Sequence, residues 1–200
     1  TYKDKEVVEK DQLKAGSIIK TKEITEIDAQ ELTLNNGITV VLKKTDFKND
    51  QILFSARSKG GMSLYYECDI PALNFACDFV DRAGISDLDY SSLEKKMKGK
   101  KVGVSPYINL FSEGLSGSST PKDMEFFFQY IHAFFTSPRE DASVAELVTS
   151  EYLEQIKMLG ANPMYKFILG FMDITTQNDP YQKQLMSEEE VKSVDYNRAF

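Results

Sequence analysis

Residues 31–44, ELTLNNGITVVLKK, alternate apolar and polar side chains on both sides of Asn36-Gly37, with Leu32, Leu34, Ile38, Val40 and Leu42 as the apolar set. A period of two demands extended chain with one face buried, and Asn-Gly suits the positive backbone angles of a tight turn. The segment must therefore fold as an antiparallel hairpin, and a fold built only of helices is excluded. QILFSARS (51–58) reads as a third strand, ending in the Gly60-Gly61 loop.

The periodicity then changes. Over 71–83 the residues Leu73, Ala76, Cys77 and Val80 recur at helical spacing, with Asn74, Asp78 and Asp81 on the polar side. Ser91 and Glu94 form a capping box that opens a short helix ended by Gly99, and residues 100–119 read as two strands joined near Pro106. Thr120 is the expected N-cap of a long helix with Pro121 in its first position. Met124, Phe127, Phe128, Ile131 and Phe135 are its expected buried stripe. Residues 141–159 carry Ala145, Val148, Tyr152, Ile156 and Leu159 on one face, and residues 163–177 form another, more buried helix. Strands arriving as hairpins favour an α+β class, a mainly antiparallel sheet with helices packed on one face.

Residues 1–30 are charged, with apolar residues too scattered for one long helix, and are expected to be a lead-in or linker; 31–200 are expected to form a single module. Ser187 and Glu190 make a second capping box close to the end, so the module is expected to be truncated at its C-terminus. Lys and Arg number 24 against 31 Asp and Glu, a net charge of −7 with no basic stripe, which argues against nucleic acid as a partner. No apolar run approaches the ~18 residues of a membrane span, so a membrane is not an expected partner either.

Chemistry has few candidates. His132 is the single histidine and falls on the polar side of its helix with Lys122, Glu125, Gln129 and Thr136, which excludes histidine-rich metal sites. Gly114-Leu115-Ser116-Gly117-Ser118 only superficially matches a nucleophile elbow, and the Gly60-Gly61 turn lacks the Lys-Ser/Thr ending of a phosphate loop. Cys68-Asp69 and Cys77-Asp78 repeat a pair that could offer thiolates and carboxylates to a soft metal, although Cys77 falls on an apolar stripe. Glu146, Glu151 and Glu154 read as an acidic solvated helix face.

The order of ELTLNNGITVVLKK, the strand ending in RSKGGMSL, the helix at Pro71, SSLEKKMKGKKVGV and GLSGSSTPKDMEFFFQYIHAFFTSPR resembles the insulinase/pitrilysin family of zinc metallopeptidases. The resemblance runs over about 31–200. In that family related α+β modules enclose a chamber, and one carries an inverted zinc signature, His-x-x-Glu-His. The corresponding positions here are Asn74, Cys77 and Asp78, so both imidazole ligands and the glutamate base are missing. The family's third ligand would fall around Glu151, Glu154 and Gln155.

The resemblance thus implies a later, non-catalytic module, the third, with no catalytic residue and no metal of its own. Zinc is expected in the parent protein, other modules of the same chain are the expected partners, and the parent is expected to hydrolyse peptides. The alternative is a scaffold module or subunit of a non-peptidase member of the same fold family. A periplasmic location is favoured over a cytoplasmic one.

Overall fold

The computed structural model describes Val7, Val8, Leu13, 15–183 and 185–200. The order is β1 (Ile18–Ile24), β2 (Ala29–Leu34), β3 (Thr39–Lys43), β4 (Ile52–Lys59), α1 (Ile70–Ala83), α2 (Tyr90–Met97), β5 (Gly103–Ile108) and β6 (Ser112–Ser119). It continues with α3 (Met124–Thr136), α4 (Ala142–Gly160), α5 (Pro163–Thr175), α6 (Glu188–Lys192) and α7 (Tyr196–Ala199). The class is α+β, with every strand pair antiparallel. The strands form two compact units, one spanning Val8–Gln51 and one holding Val7 with Ile52–Phe200.

In the first unit the expected hairpin is present. Thr33 pairs with Thr39, the Leu34 N–H donates to the Ile38 carbonyl, and Gly37 takes a φ of +87° that a side chain would disfavour. Asn36 turns back to accept the Ile38 N–H on Oδ1 at 3.1 Å. Two features differ from the sequence reading. Residues 18–24, within the expected lead-in, form β1 and pair with β2, and the sheet order is β1-β2-β3 with β4 in a separate sheet. The scattered isoleucines concealed this strand. Its register is carried instead by polar pairs, Lys22 opposite Glu31 and Glu23 opposite Gln30, whose side chains meet at 2.8 Å.

The second unit is built on the order β4-β6-β5. One face presents the rows Ser55–Ser116–Ser105 and Arg57–Gly114–Tyr107. The other presents the row Phe54–Gly117–Val104, against which α3 packs. A Cβ on Gly117 would lie 2.9 Å from the Phe127 ring, so glycine here lets Phe127 settle on β6, edge-on to Phe54 at 5.4 Å. The turn between β5 and β6 falls at 109–111 rather than near Pro106. Pro106 lies inside β5, an edge strand, where its missing N–H leaves no ladder bond unmade.

Three helices depart from their expected faces or caps. Around α3 the buried residues are Phe127, Tyr130, Ala133 and Phe134, whereas Met124, Phe128 and Phe135 are exposed. Aromatics surround this helix, so period alone could not choose a face, and the fit of Phe127 over Gly117 did. The short helix α2 starts at Asp89, which accepts the Ser92 N–H at 2.7 Å, rather than at Ser91. Helix α5, expected to be more buried, contains no buried residue.

The core of this unit joins α1 to α4 and the C-terminal helices. Phe75 and Phe79 stack at 5.3 Å, Tyr152 meets Phe75 at 5.2 Å, and Tyr196 meets Phe79 at 5.3 Å. Ala145, Val148, Met186 and Val191 close the cluster. The Ser187–Glu190 capping box is present and places Val191 in this core. No described helix is long and apolar enough to cross a membrane.

Candidate functional site

Helix α1 begins with Pro71 in its first turn and ends at Gly84, whose φ of +90° brings its Cα against the Leu88 carbonyl, where a Cβ would sit 2.2 Å away. These ends fix the helical phase. Phe75 and Phe79 face the core, and Asn74, Asp78 and Arg82 follow one another at i, i+4 and i+8 along the adjoining edge of the helix, with Arg82 on the Phe75 side, toward α4. Asn74 and Asp78 are exposed, while Asp81 and Arg82 are partly buried.

Cys77 lies one residue, about 100°, around the helix from Asp78. Its thiol faces β5, where the Ile108 N–H donates to the sulfur, and burial, with Asp78 and Asp81 adding repulsion, outweighs that bond and pushes its pKa up to about 11. It is therefore a protonated, packed thiol at neutral pH. Partial loss of solvent around their carboxyls raises Asp78, whose residue as a whole is exposed, and Asp81, which Asp78 also repels, and the Arg82 cation opposes both shifts.

Of the three α4 residues around which a third ligand would fall, Glu151 reaches α1. Its carboxylate receives both terminal nitrogens of Arg82, Nη1 on Oε2 and Nη2 on Oε1, the latter at 3.2 Å. This bond holds Glu151 below the ordinary range and raises Arg82 in turn. Glu154 and Gln155 point into solvent, as does Glu146. Sequence reasoning missed Arg82, although its place four residues after Asp78 on the polar side of α1 was a usable signal.

The remaining candidates are separate from this cluster. His132 is exposed on α3 and touches Thr136, whose hydroxyl lies 3.3 Å from Nδ1. Ser116 sits within β6, not at a strand-to-helix turn. The amides of the glycine loop are spent on the β5–β6 turn: Gly60 donates to Phe111, Met62 to Asn109 and Ser63 to Leu110, at 2.9–3.0 Å. They do not converge on a phosphate. Cys68 is exposed in the turn before α1. Among the described residues no three His, Cys, Asp or Glu side chains converge as a metal group.

No protein-family model matches the chain. It is 25% identical over 175 residues to the "Probable zinc protease PqqL" of Haemophilus influenzae, covering 86% of this chain and 19% of that protein. Its fold matches the crystal structure of the periplasmic protease PqqL from Escherichia coli with a TM-score of 0.76, at 21% identity, over 98% of this chain and 21% of that one. It also matches the ferredoxin protease FusC, solved in complex with Arabidopsis ferredoxin, with a TM-score of 0.71, at 16% identity, over 94% of this chain and 20% of that one. The chain thus spans about a fifth of the length of the relatives it matches, and its resemblance to insulinase-like zinc proteases covers nearly all of it.

Proposed function

We propose that this chain is a non-catalytic module of a zinc-dependent metalloendopeptidase, that it helps to enclose the chamber in which the parent cleaves peptides, and that the parent works in the periplasm. One observation carries the reading: the chain aligns over most of its length with a zinc protease, yet its α1 presents Asn74, Cys77 and Asp78 where the family's zinc signature would fall.

The donors present do not suit zinc. A catalytic zinc site needs imidazole or carboxylate ligands converging with one position open, and a base beside the bound water. Here the thiol is protonated and turned toward β5, and Glu151 is neutralised by Arg82. Zinc is assigned to another module of the parent. What this chain's residues supply is a wall: helices on one side of a sheet, and on the other side the exposed hydroxyls of Ser55, Ser105 and Ser116 beside Arg57. A polar face with few apolar anchors suits loose contact with many unfolded peptides.

The test is peptide cleavage by the purified parent and by the 200-residue chain alone, each with zinc and with a chelator. The parent should cleave in a chelator-sensitive manner and the 200-residue chain should not cleave at all. A parent without peptidase activity would favour a scaffold subunit of the same fold family, and zinc-dependent cleavage by the 200-residue chain would overturn the reading.

A further inference from the structure

Helix α5 carries two apolar faces. Tyr165, Leu169 and Met172 are partly buried on one. On the other, Met164, Phe167, Ile168, Phe171 and Ile174 stand 66%, 69%, 45%, 57% and 77% exposed. Their spacing of i, i+3, i+4, i+7 and i+10 gathers them into one stripe about 120° wide, without a charge inside it. Five adjacent large apolar side chains exceed the scattered exposure expected of a finished surface, and such stripes mark interaction sites.

A second observation comes from Gly170. It sits in the interior of α5 beside the stripe, with Phe167 three residues before it and Ile174 four after, and a Cβ added there would meet nothing within 4 Å. Its φ lies outside the positive range, so the turn chemistry that requires glycine elsewhere is absent. Glycine in a helix interior is destabilising relative to alanine. Among the described residues nothing occupies the space beside Gly170, whereas a neighbouring surface approaching the helix closely would need the missing side chain.

We propose that the outer stripe of α5 is the docking face for a neighbouring module of the same parent chain, an apolar surface that approaches the helix backbone at Gly170. The occupant is argued from length and chemistry. The chain accounts for only 19% and 21% of the PqqL proteins it matches, and an uncharged stripe of this width suits a permanent intramolecular interface better than a transient partner. The inference rests on the proposed modular parent and adds which surface of this module is joined to the rest.

Hydroxyl-radical footprinting of Met164, Phe167 and Phe171 in the 200-residue chain and in the full-length parent tests it. Labelling should be strong in the 200-residue chain and fall several-fold in the parent. Gly170→Ala should raise the thermal midpoint of the 200-residue chain, while Gly170→Leu should restore labelling of the stripe in the parent without changing the circular dichroism of the 200-residue chain. Equal labelling in both proteins would overturn the proposal. So would protection in the 200-residue chain, whether concentration-dependent with a dimer mass or in the monomer, because the cover would then be a second copy or residues 8–51. A peptide-cleavage assay on the same parent preparation separates the two readings: active parent with an unprotected stripe defeats this inference alone, and an inactive parent with a protected stripe defeats only the peptidase reading.

Discussion

Arg82 of α1 and Glu151 of α4 lie 69 residues apart in sequence and form a two-pronged ion pair that ties the two helices together. Two charge-assisted bonds hold the guanidinium plane against the carboxylate. The pair is partly solvated, with side chains 34% and 52% exposed, so it orients the helices more than it stabilises them.

A double-mutant cycle on Arg82→Ala and Glu151→Ala should therefore give a small favourable coupling in low salt that shrinks in concentrated salt, as for solvated pairs. Urea denaturation measures it. Zero coupling at low salt would show that the two side chains do not share a bond in solution.

Zinc titration by calorimetry should find no stoichiometric site in the unmodified chain at neutral pH. Asn74→His with Cys77→Glu and Asp78→His places imidazoles at i and i+4 and should raise affinity. Adding Arg82→Ala, which releases Glu151, should raise it further. Tight binding by the unmodified chain, unimproved by the replacements, would mean that the correspondence with the zinc signature is misplaced and would direct attention to Cys68 and Cys77.

Asp69, before α1, holds Arg198 of α7 through two bonds of 2.8 and 3.0 Å, and the Arg198 hydrogen bond keeps its carboxyl below the ordinary range. A folded pKa below the unfolded one gives stability that is complete above the unfolded value, about 3.9, and is lost as pH falls through the folded value. Hydrogen exchange should show α7 loosening on acidification below about pH 4. Asp69→Asn should loosen α7 at neutral pH and flatten that response. An unchanged acid limb in the variant would remove Asp69 from the account.

Phe79 is 1% exposed, stacked on Phe75 and tilted against Tyr196. Phe79→Ala should cost about 3–5 kcal/mol by denaturant titration, the range for emptying a packed aromatic site. A loss below about 1 kcal/mol would mean that the core collapses onto the vacancy.

The sequence by itself determined the elements whose signals are local. The alternation around Asn36-Gly37 and the capping box at Ser187 each depend on residues within a few positions, and each is where the pattern places it, whereas Thr120 caps a short 3-10 turn over Pro121–Asp123 and the long helix starts only at Met124. The lack of a histidine pair in α1 is equally plain from composition.

Faces and pairings across the chain were decided only by tertiary structure. Phenylalanines surround α3, so its period was ambiguous until the absent side chain of Gly117 admitted Phe127. Helix α5 has apolar residues on two sides, and a hydrophobic pattern cannot say which side this chain covers and which it leaves exposed. Whether the hairpin and β4 share a sheet depends on backbone pairing, which side-chain patterning does not encode. The meeting of Arg82 with Glu151 depends on how α1 and α4 cross, set by the rings of Phe75 and Tyr152 packed between them rather than by either charge.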